Sequence, residues 1–240
     1  MTVFRGLFAA LVGAQLAYPF VPAGRRPAAT RGVVVLMLAA STAEAVAARG
    51  RAQAALVGSA GGLGFAIELV GVRTGRPFGH YHYGAGLGPM LGSVPLLAAG
   101  AWAMMARPAW VVAGWLDPRA AVRIPLAAGA LTAWDVFLDP RMAADGYWTW
   151  PGGGRYEGVP ASNFLGWLLT GCAVFGLWAV AERGEPPAAA DDGALALYTW
   201  TWVGETVANA MLWRRRRVAF AGAAAMGSFA VPALVRRLRG

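Results

Sequence analysis

The sequence predicts an all-α, polytopic integral membrane bundle of about eight (seven to eight) transmembrane helices. Three observations predict it. Hydrophobic residues make up 58% of the 240 positions and charged residues only 14%, against roughly 25% charged in a soluble domain. Mean hydropathy is +0.49. The apolar residues also gather into runs near the length of about 20 residues that crosses a bilayer.

Eight runs mark the expected spans: about 4–22, 32–48, 53–72, 89–106, 120–138, 162–181, 193–213 and 217–235. The first resembles a signal peptide, but it lacks a small-x-small cleavage site. Pro19 and Pro22 follow its apolar stretch, so it is read as an uncleaved span. The second carries Glu44 and ends at Arg49, and the third carries a row of glycines and Glu68. After the fourth, Ala109–Leu116 is too short to cross. It either lies at the interface or extends that helix, and this ambiguity leaves a seven-helix count open. The fifth carries Asp135 and closes at Asp139-Pro140, and the sixth holds the single cysteine, Cys172. The seventh carries Glu205 and stops at the Arg214–Arg217 run. The eighth contains Ala221–Ala225, a small-residue surface suited to helix packing in lipid.

Eight spans use nearly the whole chain, so residues 1–240 are read as one transmembrane domain with no folded soluble part. The net charge of +9 would suggest nucleic acid in a soluble protein. Here all basic residues are Arg and most fall between apolar runs, which fits topology and lipid head groups and argues against a nucleic-acid partner. Eleven of the 21 arginines fall on one side of an eight-span bundle and ten on the other, so charge does not orient it. The location expected is the bacterial plasma membrane, with multiple passes.

Two connections stand apart, Val72–Gly88 and Asp139–Ser162, both dense in Gly, Pro, Tyr, Trp and Arg. Long aromatic loops on a helical scaffold commonly carry function. The Glu182–Asp192 connection reads instead as a plain solvated linker.

Ionisable residues inside spans are costly and therefore functional candidates. Glu44, Glu68, Asp135 and Glu205 qualify, with Asp139 at its helix end. Glu68 and Asp135 each lie about one turn from an unusual loop, and alternation of helices brings both ends to one membrane face. Glu68, Asp135, Asp139, Asn163 and loops 72–88 and 139–162 therefore share a face. Gly61, Gly64, Glu68 and Gly71 share one side of the third helix, either as a packing groove or as space for a ligand. Asp135 and Asp139, four apart, are placed to titrate apart, one as an acid and one as a base. Asp139 alternatively just terminates its helix. Tyr81, Tyr83, Trp134, Tyr147, Trp148, Trp150, Tyr156 and Trp167 are either an interfacial belt or ring faces for a cation.

His80 and His82 are the only histidines, too few for a di-iron site and too close for bis-His haem, so no metal is expected. Nucleotide-loop, HExxH and GxSxG motifs are missing. The one adjacent acidic pair, Asp191-Asp192, lies in the linker.

The stretches FAIELVGVRTGRPFGHYHYGAGLGPMLGSVPLLAAGAW (Phe65–Trp102) and WDVFLDPRMAADGYWTWPGGGRYEGVPASNFLGW (Trp134–Trp167) resemble the CruF-type membrane carotenoid biosynthesis proteins. Those are acyclic carotenoid hydratases, the bisanhydrobacterioruberin hydratases among them. The resemblance covers about 60–170, taken as the functional core. It implies hydration of a terminal isopropylidene double bond to a tertiary alcohol, without a cofactor. The implied partners are an acyclic carotenoid, the bilayer and other carotenoid-pathway enzymes. On this reading Asp135 is the favoured proton donor and Glu68 the second, while Asp139 and Asn163 orient water. Tyr81, Tyr83, Trp134, Trp148 and Trp167 line the substrate. Two alternatives stay open: a carotenoid cyclase using the same acid, or a non-catalytic transporter or accessory protein with its carboxylates strung along a pore.

Overall fold

The computed structural model describes residues 2–182 and 185–239. It is an all-α membrane bundle. The helices are α1 (Thr2–Ala17), α2 (Arg26–Arg49), α3 (Ala52–Thr74), α4 (Leu97–Leu116), α5 (Ala120–Ala144), α6 (Ala161–Glu182), α7 (Asp192–Val207) and α8 (Arg216–Arg239). A π-helical turn, Ala208–Leu212, extends α7. All except α4 and α7 belong to segments long and apolar enough to cross a membrane.

α4 is the centre of the bundle and packs against α2, α3, α5, α7 and α8. Residues 102–114 of α4 are all buried. The glycine row on α3 is the reason two helices approach so closely. A Cβ at Gly61 would lie 2.8 Å from the carbonyl oxygen of Ala99, and one at Gly64 would lie 2.2 Å from the Trp102 ring. Here the row serves packing: Gly64 is the seat of the Trp102 indole.

Three expectations need correction. The fourth helix runs over 97–116, not 89–106. Gly92 and Ser93 both take positive φ (57° and 69°), which closes a tight hairpin between β2 (Met90–Leu91) and β3 (Val94–Pro95) and delays the helix. Ala109–Leu116 then completes α4 through Pro108. Second, Arg107 and Arg123 are not head-group contacts, being 1% and 2% exposed. Third, the Glu182–Asp192 connection is no plain solvated linker, because Asp191 is wholly buried. It accepts from Arg49 (3.0 Å and 2.5 Å) and from Arg107, whose Nε also donates to Glu44 at 3.1 Å. Trp110 and Gln53 both donate to Glu182, and the Arg123 guanidinium lies 3.8 Å over the Trp110 ring. The low dielectric that makes a lone charge costly makes such pairing obligatory.

The two unusual loops are paired. β1 (His82–Tyr83) runs antiparallel to β4 (Trp148–Thr149), with Tyr83 opposite Trp148. This ribbon closes over the end of the bundle where α3 finishes and α6 begins.

Candidate active site

Glu68 lies in the penultimate turn of α3 and is 6% exposed. Its carboxylate accepts three hydrogen bonds: from the Tyr81 hydroxyl, from Tyr83 at 2.9 Å and from Trp102 Nε1 at 3.1 Å. Tyr81 reaches it because Gly71, one turn on, carries no Cβ. One there would sit 2.9 Å from the Tyr81 oxygen. Burial, then the Glu68 charge, push both phenols well above the ordinary tyrosine range. They remain protonated donors throughout the physiological pH range.

On α5, Asp135 and Asp139 are buried one turn apart. Both accept from a single amide, Asn163 Nδ2 in the first turn of α6, at 2.8 Å for Asp135. Trp148 Nε1 donates to Asp139 at 3.0 Å. The remaining oxygen of Asp135, Oδ1, is buried without a partner. Among the described residues, no arginine forms an ion pair with Glu68, Asp135 or Asp139, whereas Glu44, Glu182 and Asp191 all face one.

A cleft with about 390 Å³ of space between atoms, little of it wider than a water molecule, runs among these groups. Glu68, Tyr81, Tyr83, Asp139, Trp148, Asn163 and Trp167 line it. Asp135 and Trp134 stand one layer behind. Asp135 touches the site through Asn163, and Trp134 meets the edge of Trp167 at 6.0 Å. Trp102 stacks on Trp167 at 4.0 Å, and Tyr83 meets Trp148 edge-on at 5.8 Å. These rings give the cleft several electron-rich faces.

The other candidates lie elsewhere. Glu44 belongs to the Arg107 pair, and Glu205 bonds the side chain of Asn209 at 3.2 Å. His82 Nε2 lies 3.0 Å from Thr149 Oγ1 at the exposed edge of the ribbon. Tyr147 bonds Thr30 at 3.0 Å, and Tyr156 donates to the Val136 carbonyl at 3.0 Å. Sequence reasoning missed Trp102, Phe78, Ala98, Ala101 and Leu138 as cleft residues, and it counted Trp150 only among the nearby aromatics. All of them fall within the two distinctive stretches, but nothing in their spacing marks them as cleft residues.

Arranged this way, carboxyl groups, an amide and several ring faces meet around one cleft. No solved structure matches the chain. A 112-residue segment is 41% identical to the bisanhydrobacterioruberin hydratase of Haloarcula japonica. That segment is 45% of this chain and 38% of that protein, well short of its full length. A family model described as carotenoid biosynthesis protein matches residues 30–229. The chain is thus a member of the carotenoid biosynthesis protein family.

Proposed function

We propose that the protein is a hydratase of acyclic carotenoid end groups, acting in the bacterial plasma membrane without a cofactor. One observation carries this reading. Two buried carboxyl groups, Glu68 and Asp139, line one aromatic cleft with a third, Asp135, one layer behind, and among the described residues no arginine pairs with them. Such a cluster suits chemistry that moves a proton onto carbon and passes through a cation. The printed name of the Haloarcula japonica relative supports the same reaction class.

The step begins with Asp139 in its carboxylic acid form, since Asp139 and not Asp135 faces the cleft. The terminal C=C takes the proton on its CH carbon, and the positive charge develops on the dimethyl carbon. Glu68, fixed as an acceptor by three donors, and the faces of Trp148, Trp102 and Trp167 stabilise that cation. Water adds to the cation, a C–O bond forms, and its surplus proton returns to the Asp135–Asp139 pair. One water is added, and no electrons are exchanged with any partner. Asn163, bonded to both aspartates, is a positioning residue that keeps the pair together for that return.

Clustering at one cleft, with Glu44 paired to Arg107 elsewhere, supports an enzyme over a proton-coupled transporter. The test is expression in a bacterium that accumulates lycopene or a longer acyclic carotenoid, followed by product mass and polarity. A more polar product heavier by one water is expected. An isomer of unchanged mass would make the protein a cyclase. No product from folded protein across several acyclic substrates would favour an accessory role.

A further inference from the structure

Two parts of the cleft differ in chemistry. Most of its wall is acidic, amide or aromatic, but Ala98 and Ala101 on α4 and Leu138 on α5 are plain aliphatic. Along α4, residues 102–114 are all buried, Ala101 is partly open, and Ala98 is itself buried where it lines the cleft. On α5, Leu138 is partly open between buried Phe137 and buried Asp139. Ala98, Ala101 and Trp102 share one helix face by their three- and four-residue spacing. The same side of α4 therefore carries the indole that bonds Glu68 and two side chains of one carbon each.

We propose that Ala98, Ala101 and Leu138 seat the dimethyl end of the isoprenoid chain, and that the small size of the two alanines sets which chain ends the site admits. The inference rests on the hydration reading. The reacting carbon bears two methyl groups, which need apolar contact beside an otherwise polar cleft. Leu138 adjoins Asp139 in the chain, so methyls resting on this patch bring the double bond beside the acid. The cleft is small, with about 390 Å³ between its atoms, so a few added carbons at position 98 or 101 fill the seat.

The test uses the full-length protein in membranes of an acyclic-carotenoid-producing bacterium, with a graded series at one position. Ala101→Val and Ala101→Leu should lower product progressively, to at least roughly a tenfold loss, the scale on which apolar pockets discriminate by a carbon or two. Ala98→Val gives an independent reading if Ala101→Leu does not fold. Ala55→Leu, on the exposed face of α3, adds the same bulk away from the cleft and should leave product unchanged. Wild-type product that the Val and Leu variants, folded, make undiminished overturns the seat and leaves the hydration reading intact. No product from the folded wild type overturns that reading and the seat with it.

Discussion

Glu68 and Asp139 face the same cleft but are held differently, which is the basis of the separate roles proposed for them. Three donors fix Glu68 as an acceptor, whereas Asp139 accepts from Trp148 and shares the Asn163 amide with Asp135. Glu68→Gln keeps the shape but places an amide among three donors. It should lower hydration by roughly 10²-fold or more, the usual worth of a positioned charge-stabilising group, measured as product per folded protein. Gly64→Ala acts through packing, because its Cβ would press on the Trp102 ring. The indole must leave Trp167 or Glu68, at a cost of about 1–3 kcal/mol. Thermal unfolding in detergent should show the loss, and an unchanged midpoint would contradict the packing account. The approach of Glu68 to Asp135, Asp139 and Asn163 was legible from helix-end arithmetic alone. Trp102 was not, because an indole inside an apolar run has the same periodicity whether it packs a core or bonds a carboxylate.

Between helices, the polar network around Arg107 governs how α4 is held. Arg107 links Glu44 of α2 to Asp191 before α7, and Arg49 grips Asp191 from the end of α2. Removing the cation leaves buried acids without a partner. Arg107→Met should therefore destabilise the protein by about 3–5 kcal/mol, seen as lost yield of folded protein after membrane extraction. Burial alone would raise the Asp191 carboxyl, but its Arg49 hydrogen bonds and the Arg107 charge outweigh that and hold it below the usual carboxylate range. A lowered folded-state value means its stabilisation is complete above the ordinary carboxylate pKa of about 4 and fades as pH falls through the lowered value. Unfolding midpoints should fall on acidification below that point, and Asp191→Asn should flatten the acid-side slope. The sequence concealed this network because its members are scattered from Glu44 to Asp191. Polar spacing within Glu182–Asp192 looks the same whether solvent or an arginine satisfies it. The hairpin at Gly92-Ser93 was hidden for a related reason: the apolar residues around it count as span in any hydropathy window.

For the whole molecule, hydropathy made the all-α membrane architecture and the approximate bounds of most helices legible, since lipid imposes helix length directly. It could not show that α4, the fourth in order, is the enclosed centre, because burial in protein and burial in lipid select similar side chains. The loop ribbon was implied only by composition. β1–β4 pairing puts residues near 76 and 155 at one end of the bundle, and the single helix α5 separates Arg119 from that end. In a Cys172→Ala background, Arg76→Cys and Arg155→Cys should react with an impermeant thiol reagent from the same side of sealed vesicles. Arg119→Cys should react from the opposite side. Labelling of positions 76 and 155 from opposite sides would break the shared-face arrangement. The central claim is that the buried carboxyl cluster protonates the chain end so that water can add. Its most direct test is the yield of water-added carotenoid from Asp139→Asn beside wild type, at equal amounts of folded protein. The account predicts a fall of roughly 10²–10⁴-fold, the contribution of a positioned general acid. Undiminished hydration by the folded variant would contradict it.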